Sequence, residues 1–298
     1  YSQKFNIRCL CKRDDLFNKA GGGSKARMLQ YILYPLYNEK VDVFLTAGGP
    51  CSNYNRAAAL LCAEMGIQMR LVSYTDNLSD YENSLNYYLT NLAGVEHIYC
   101  TKTEVVETIQ KTIAEMEENA VSFRYCYGGG KSLEGVYAYY DAVRELKYQY
   151  RGKIDEIYVA CGTGTTLTGI CCGMQEFFPT ARVHGISVAR CYVDEKKVLD
   201  EDLAYLNNYL NKQYDFSNLI FHDEFLFGGY GHSSNEELKT IRECISRQGM
   251  LVDPTYSGKA FHGMCEILSE REQSGKTVLF WNTGGMMNLF SQKTEFKL

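Results

Sequence analysis

A lysine follows three glycines in the segment Asn18–Arg27, whose sequence NKAGGGSKAR precedes an amphipathic helical pattern. Ser24 suits the N-cap position of that helix, which places Lys25 in the first helical turn. Because the positive end of the helix dipole disfavours a cation, this position favours the neutral amine, which is the nucleophilic form. The ordinary alternative is a flexible glycine loop with a solvated lysine.

The segment Gly48–Arg56 (GGPCSNYNR) could hold a small anion. It follows a predicted strand and opens an alanine-rich helix, so its backbone N–H groups are available together with the side chains of Ser52 and Asn53. Such a site has the size of a carboxylate or a phosphate. A plain capping loop, with Ser52 or Asn53 as the N-cap residue, is an equally simple interpretation.

The segment Cys161–Gly169 (CGTGTTLTG) favours phosphate binding. Its glycines let backbone amides converge after a predicted strand, and the hydroxyl groups of Thr163, Thr165 and Thr166 add donors. No Gly-Lys-Ser/Thr follows, so the segment is not a P-loop, and its third glycine comes too late for a dinucleotide-binding fingerprint. A turn without a ligand is the alternative.

Hydroxyl groups and glycines also occupy two later strand ends and one loop. These segments are Asp253–Lys259 (DPTYSGK), Asn282–Gly285 (NTGG) and Gly228–Gly231 (GGYG), the last of which places Tyr230 between glycines. Each segment alone is a weak signal, because a packing tyrosine or a simple turn explains it. The five histidines show no spacing typical of metal ligands, and no G-x-S-x-G motif occurs, so neither a metal site nor a serine hydrolase is expected.

Apolar, β-prone runs alternate with longer helical patterns along nearly all of the 298 residues. This alternation predicts an α/β fold with parallel sheets covered by helices, and in such sheets ligands bind beyond the carboxyl ends of the strands. Cys9 and Cys11 alternate on one expected strand. The other expected strands are Val41–Thr46, Met69–Tyr74, His97–Cys100, Val121–Tyr127, Glu156–Ala160, Val183–Val188, Met250–Val252 and Val278–Trp281.

The composition argues against several classes of partner. The net charge is −5 and lysine and arginine form no block, which disfavours nucleic acid and anionic membrane as partners. No run approaches the roughly 18 apolar residues of a transmembrane helix. The twelve cysteines form no C-x-x-C pair, so we expect reduced, mostly buried thiols in a cytoplasmic protein.

Together and in this order, the segments resemble the tryptophan-synthase-type (fold type II) pyridoxal-phosphate (PLP) enzymes, and among them the 1-aminocyclopropane-1-carboxylate deaminase / D-cysteine desulfhydrase family. The segments that carry the resemblance span nearly the whole chain and are Lys12–Asp15 (KRDD), Gly22–Arg27 (GGSKAR), Gly49–Asn53 (GPCSN), Thr163–Thr166 (TGTT), Gly229–Gly231 (GYG), Asp253–Lys259 (DPTYSGK) and Thr283–Gly285 (TGG). The resemblance implies two domains with twisted, parallel-rich sheets. Residues 1–27 and 128–298 would form a large PLP-binding domain, and residues 28–127 would form a small domain that closes over the active site.

The resemblance also implies a role for each candidate residue. Lys25 would be the Schiff-base lysine, Ser52 and Asn53 would hold the substrate carboxylate, and Tyr230 and Tyr256 would flank the substrate as acid/base or positioning groups. The implied cofactor-binding residues are Lys25, Asn53, Thr163, Gly164, Thr165, Thr166, Ser257 and Thr283, and the implied catalytic residues are Lys25, Tyr230 and Tyr256.

The chain departs from the family pattern at three places. Family members begin with a further segment before the KRDD strand, and they often carry a glutamine where this chain has Cys51. Met28 stands where the family has a second lysine after the Schiff-base lysine. Phosphate binding should therefore depend more on backbone amides.

The residue after the active-site tyrosine helps to choose a reaction within the family, because it faces the pyridine nitrogen there. A carboxylate at this position keeps the ring protonated and strongly electron-withdrawing, as the cyclopropane ring-opening deaminases need. This chain has Ser257, together with Thr283. A weaker electron sink suffices for α,β-elimination, so the resemblance favours a D-cysteine desulfhydrase, which converts D-cysteine to pyruvate, hydrogen sulfide and ammonia. Gly185–Arg190 (GISVAR) also resembles that branch.

Other functions stay open at this point. Within the family they are 1-aminocyclopropane-1-carboxylate deaminase and a PLP-dependent β-replacement synthase. Outside it they are an NADP-dependent reductase, in which Arg190 would read the 2′-phosphate, and a non-catalytic amino-acid-binding relative. For the enzyme we expect a small amino-acid substrate, of D or L configuration, and a homodimer.

Overall fold

The computed structural model describes residues 1–77, 79–270 and 274–296. The chain divides into two compact units, which we call the large unit (residues 1–16 and 133–298) and the small unit (residues 17–132). These bounds differ from those expected from the sequence, since the residues around Lys25 belong to the small unit. Arg27 lies over the ring of Phe17 within that unit, 5.1 Å from the ring centroid.

Strands and helices alternate as predicted. The strands are β1 (Arg8–Arg13), β2 (Val43–Gly48), β3 (Gln68–Tyr74), β4 (Glu96–Cys100), β5 (Phe123–Tyr125), β6 (Glu156–Cys161), β7 (Arg182–Ser187), β8 (Leu219–His222) and β9 (Thr277–Asn282). The α-helices are α1 (Ser2–Phe5), α2 (Ser24–Glu39), α3 (Asn53–Met65), α4 (Ser79–Asn83), α5 (Leu85–Leu92), α6 (Val105–Glu118), α7 (Leu133–Gln149), α8 (Thr165–Phe177), α9 (Tyr192–Leu210), α10 (Asn235–Gln248), α11 (Ser257–Ser269) and α12 (Met286–Ser291).

The large unit is built on a five-stranded parallel sheet with the strand order β1-β9-β6-β7-β8. Every residue of the central strand β6 is buried, which is typical of a parallel sheet with helices on both faces. Tyr158, Ile186 and Phe280 of three neighbouring strands pack with Phe261 and Met264 of α11 in the main core. This core fixes the carboxyl end of the sheet.

The small unit is built on a four-stranded parallel sheet with the strand order β4-β3-β2-β5. Strand β2 lies inside the sheet and is buried along its whole length. Val43 and Leu45 of this strand pack with Val72 of β3 and Met116 of α6. The loop that follows β2 is therefore carried by a rigid strand.

Two details of the strand prediction differ from the structure. Residues 250–252 form no strand, although the sequence predicted one there, because their apolar side chains pack into the main core from an extended loop that leads into Asp253. Strand β8 was not predicted, since it is a short edge strand whose residues are all only half-buried. Among the described residues, no helix has both the length and the apolar character of a membrane span.

Candidate active site

Lys25 lies in the small unit, in the first turn of α2. Its Nζ donates a hydrogen bond to the carbonyl oxygen of Gly129 at 2.8 Å. The helix begins after Gly23, which is the N-cap residue, so the prediction that Ser24 caps the helix was wrong. Gly23 occupies this place because the backbone there has a φ of 92°, in the region that favours glycine.

The loop before Lys25 is held by an arginine that the sequence analysis missed. Four consecutive residues, from Ala20 to Gly23, have left-handed φ values between 46° and 92°. Arg56 of α3 is buried, and its Nη2 donates to the carbonyl oxygen of Gly22 at 3.2 Å. Burial lowers the pKa of Arg56 to about 10, and its Nε has no hydrogen-bond partner among the described residues. The guanidinium is thus a buried cation beside the lysine loop.

Ser52 is the N-cap residue of α3, because its Oγ accepts a hydrogen bond from the backbone N–H of Asn55 at 3.2 Å. The capping interpretation therefore holds for Ser52. Its hydroxyl hydrogen is not used by that bond and can be given to an anion, so the two interpretations are compatible.

The loop around Ser52 is held in turn by two buried side chains of the same unit. Ser84 Oγ donates to the carbonyl oxygen of Pro50 at 2.7 Å. Asn86 Nδ2 donates to the carbonyl oxygen of Cys51 at 3.0 Å and to Asn53 Oδ1 at 3.2 Å. These bonds orient the amide of Asn53, and nothing in the sequence pattern marked Ser84 or Asn86.

The predicted phosphate loop of the large unit joins β6 to α8. Gly164 has a φ of 79° and is the N-cap residue, so the first N–H groups of α8 have no partner within the helix. Thr165 is fully buried, and its Oγ1 has no hydrogen-bond partner among the described residues. A buried hydroxyl without a partner costs about 1–3 kcal/mol, which fits a group that receives its partner from a ligand. The loop therefore fits the phosphate of PLP.

Arg190 braces this loop instead of facing a ligand. Its Nη1 donates to Glu195 Oε2 at 2.9 Å and to the carbonyl oxygen of Gly162 at 3.2 Å. Glu195 is buried, and its other oxygen accepts a hydrogen bond from the thiol of Cys161 at 3.4 Å. An arginine paired in this way is poorly placed to read a 2′-phosphate, which argues against an NADP-dependent reductase.

Tyr230 and Tyr256 are brought together in the large unit, where their hydroxyl oxygens lie 2.6 Å apart. Tyr256 precedes α11, and Tyr230 lies in the glycine loop between β8 and α10. The side chain of Tyr230 is 50% exposed, so the pair reaches the surface of its unit. Two hydroxyls in such a bond can pass a proton between them.

Ser257 is fully buried beside a carboxylate that the sequence analysis did not consider. Its Oγ lies 2.8 Å from Asp253 Oδ1 and 2.7 Å from the carbonyl oxygen of Gly284, and it accepts the N–H of Asp253 at 3.0 Å. Burial raises the pKa of Asp253 to about 6, while hydrogen bonds from Ser257, Tyr256 and Thr255 limit the rise. The hydroxyl hydrogen of Ser257 thus has acceptors within the protein, whereas the side chain of Thr283 is only half-buried.

Comparisons with known proteins identify the family of the chain. Residues 1–284 match the family model described as "Pyridoxal-phosphate dependent enzyme". The chain belongs to this family. The predicted enzyme class, the cofactor PLP and the fold type II architecture are therefore confirmed.

Similar named proteins show which members of this family the chain resembles. The chain is 29% identical to the "Bifunctional D-cysteine desulfhydrase/1-aminocyclopropane-1-carboxylate deaminase, mitochondrial" of Arabidopsis thaliana, over 94% of this chain and 73% of that protein. It is 28% identical to the "D-cysteine desulfhydrase" of Klebsiella pneumoniae, over 94% of this chain and 87% of that protein. A crystal structure of an "ACC deaminase homologue" superposes with a TM-score of 0.89 at 29% identity, covering 99% of this chain and 89% of that one.

Proposed function

We propose that the protein is a PLP-dependent lyase that catalyses α,β-elimination on a small amino acid, with D-cysteine as the first candidate substrate. The products would be pyruvate, hydrogen sulfide and ammonia. The names of the relatives support the lyase class. The observation that carries the choice of reaction is the residue after Tyr256, which is a serine and not a carboxylic acid. The nearest carboxylate, Asp253, is occupied by Ser257 and by the N–H groups of Thr255 and Tyr256.

The proposal gives roles to residues of the small unit and to residues of the large unit. In the small unit Lys25 would hold PLP, and Ser52 and Asn53 would fix the substrate carboxylate. Bound PLP supplies the electron sink for charge that develops at Cα. Lys25 would take the Cα proton on its Nζ when substrate replaces it on the cofactor, which is the general-base role of a neutral amine.

In the large unit the residues Thr163 to Thr166 would bind the cofactor phosphate through backbone N–H groups and hydroxyls. The hydroxyl groups of Ser257 and Thr283 would lie at the pyridine nitrogen of PLP. Tyr230 and Tyr256 would give a proton to the leaving group, since their shared hydrogen bond lets one hydroxyl replace the proton that the other loses.

A panel of substrates tests the proposal. Purified protein with PLP is assayed for pyruvate from D-cysteine, β-chloro-D-alanine and L-cysteine, and for 2-oxobutanoate from 1-aminocyclopropane-1-carboxylate. We expect pyruvate from the two D-amino acids and little 2-oxobutanoate. Efficient formation of 2-oxobutanoate without any pyruvate would overturn the elimination assignment. Turnover of L-cysteine alone would keep the reaction and overturn the D preference.

The second candidate is 1-aminocyclopropane-1-carboxylate deaminase. Asp253 favours it, because a buried carboxylate hydrogen-bonded to the Ser257 hydroxyl lies one group away from the position that a carboxylate occupies in those enzymes. The same assay separates the candidates. A β-replacement synthase is separated by adding a second thiol to the D-cysteine assay, since replacement would yield a new thioether amino acid instead of pyruvate.

We also propose that the enzyme acts in the cytoplasm as a homodimer. All twelve cysteines are free thiols in the structure, and seven of them are buried, which suits a reducing compartment. Light scattering of the purified protein would show a mass of twice 33.9 kDa if the dimer forms.

A further inference from the structure

Lys259 is a fully buried lysine that the proposed reaction does not use. It lies in the first turn of α11, in the same segment as Tyr256 and Ser257. Lysine is almost never fully buried unless it is paired or hydrogen-bonded. Its Nζ donates to the carbonyl oxygen of Leu226 at 3.1 Å and to that of Gly229 at 3.4 Å. Both carbonyls belong to the loop that carries Tyr230.

This loop has a backbone that needs support. Phe227, Gly228, Gly229 and Gly231 have left-handed φ values of 52°, 101°, 122° and 80°. A non-glycine residue in this region, such as Phe227, is strained because its Cβ approaches the following carbonyl oxygen. The Nζ of Lys259 lies 5.5 Å from the ring centroid of Phe227, so the ammonium contacts the strained residue as well as the carbonyls on both sides of it.

Two buried carboxyl groups, those of Glu237 and Asp253, act on Lys259 electrostatically, while its hydrogen bonds go to the loop carbonyls. Glu237 of α10 is fully buried, and neither of its carboxylate oxygens has a hydrogen-bond partner among the described residues. Burial raises the pKa of Glu237 to about 8 against the attraction of Lys259. Burial also lowers the pKa of Lys259, against the attraction of Glu237 and Asp253. Burial and attraction thus oppose each other at Lys259, and in either protonation state its Nζ carries the hydrogen atoms that it donates to the two loop carbonyls.

We propose that Lys259 is the positioning residue of Tyr230, because its ammonium joins the carbonyls of Leu226 and Gly229 and so holds the tyrosine loop in the conformation that brings Tyr230 to Tyr256. The proposal rests on the proposed acid/base role of Tyr230 in the elimination. Lys259 itself touches neither reacting atoms nor cofactor in this account, and Glu237 is a buried carboxyl group that raises the pKa of Lys259 against the effect of burial.

The experiment uses the holoenzyme with Lys259→Met and with Lys259→Met/Glu237→Gln, which replaces both buried titratable groups and so leaves no carboxylate buried without the lysine. Hydrogen exchange of the amides in residues 226–231 is measured together with kcat, KM and the visible spectrum of bound PLP. We expect loop exchange to become about tenfold faster, as loss of a bond of roughly 1.4 kcal/mol implies. We expect kcat to fall with an unchanged spectrum. Lys276→Met is the matched control, because Lys276 pairs with Glu156 in the same unit and contacts no loop carbonyl.

Two results would overturn the proposal. One is wild-type exchange of residues 226–231 in both variants. The other is a double variant Lys259→Met/Tyr230→Phe that is much slower than Tyr230→Phe alone, since a residue that acts only through Tyr230 adds nothing once its hydroxyl is gone. Full activity of Tyr230→Phe would instead refute the acid/base role in the proposed function, and the exchange data would still decide whether Lys259 holds the loop.

Discussion

The hydroxyl oxygens of Tyr230 and Tyr256 lie 2.6 Å apart, although 26 positions separate the two residues in the chain. Their rings meet edge to face with centroids 5.8 Å apart, so packing and hydrogen bonding agree on one geometry. Only one hydrogen can lie between the two oxygens, so one tyrosine donates and the other accepts. The acceptor has its own hydroxyl hydrogen directed elsewhere, which makes the pair a short path for a proton.

We predict that Tyr230→Phe and Tyr256→Phe each lower kcat by about 10²–10⁴, the range of general acid–base catalysis, with a smaller change in KM. The visible spectrum of bound PLP should not change, because the loss concerns a proton and not the cofactor. Steady-state kinetics with D-cysteine or β-chloro-D-alanine measures the effect. Tyr148→Phe is the control, since Tyr148 is 70% exposed on the same unit. Two variants with wild-type kcat would exclude the tyrosine pair from proton transfer.

Lys25→Ala should abolish turnover and the absorbance of the lysine-bound cofactor. Borohydride should fix PLP to the peptide that contains Lys25 in the wild-type protein, and no peptide should be labelled in the variant. Peptide mass spectrometry checks both statements. Lys19→Ala is a close control, because Lys19 lies in the same loop but pairs with Glu64. Labelling of any other lysine in the wild-type protein would show that PLP is not attached to Lys25.

The phosphate loop gives a prediction that rests on an unused hydroxyl. Thr165→Val should weaken PLP binding about 10- to 150-fold, because a hydrogen bond to a charged group contributes about 1.5–3 kcal/mol. Stability without the cofactor should not fall, since Thr165 Oγ1 bonds nothing among the described residues. Equilibrium dialysis and thermal unfolding measure the two quantities.

Thr168→Val is the matched control for the phosphate loop. Thr168 is also fully buried with a hydroxyl that has no partner in the described chain, but it lies one turn further along α8. The control should leave the affinity for PLP unchanged. Equal loss of affinity in both variants would show that packing of α8, and not a phosphate contact, sets the affinity.

Arg56→Met should weaken PLP binding by about tenfold or more without lowering the melting temperature. The loop from Ala20 to Gly23 loses its hydrogen bond from the guanidinium, which disorders the start of the Lys25 helix. Stability should not fall, because Arg56 pairs with no acidic residue in the described part of the chain, so its removal relieves a desolvation cost. Arg70→Met is the control in the same unit, since Arg70 pairs with Glu96 and Glu115 near the surface. Wild-type PLP affinity in Arg56→Met would show that the loop from Ala20 to Gly23 keeps its conformation without the hydrogen bond from Arg56.

The order of elements and the positions of the candidate loops could be predicted from the sequence, because strand-helix alternation and glycine at strand ends are local patterns. The buried charged residues could not be predicted from the sequence. Arg56 and Glu237 lie in the first turn of their helices, where arginine and glutamate normally face water, and only tertiary packing shows that both are buried.

One error and one omission have a related physical origin. Ser24 looked like an N-cap residue by type, but the backbone at Gly23 needs a left-handed φ that a serine side chain disfavours. Asp253 was not considered, although its carboxylate, four residues before Ser257, lies 2.8 Å from the Ser257 hydroxyl. Residue type suggested the chemistry in both cases, and the conformation and side chains of the neighbouring residues decided the contact.

The carboxyl group of Asp253 makes the stability of the fold depend on pH. The pKa of Asp253 is raised from 3.8 to about 6 in the folded protein. The folded state therefore binds this proton more tightly than the unfolded state does. The stabilisation by this group is fully present below about pH 3.8 and is lost as the pH rises to about 6.

Ser257→Ala should therefore destabilise the protein more at pH 8 than at pH 4.5. The hydroxyl and the N–H of Ser257 both stabilise ionised Asp253, so removing the hydroxyl raises the pKa of Asp253 further and extends the loss of stability to higher pH. The extra cost at pH 8 should be about 1.5–3 kcal/mol, measured by urea unfolding at both pH values. Ser187→Ala is the control, because its buried hydroxyl donates to the carbonyl oxygen of Arg190, which does not titrate. A cost that is equal at both pH values in Ser257→Ala would mean that its hydroxyl hydrogen goes to Gly284 and not to Asp253.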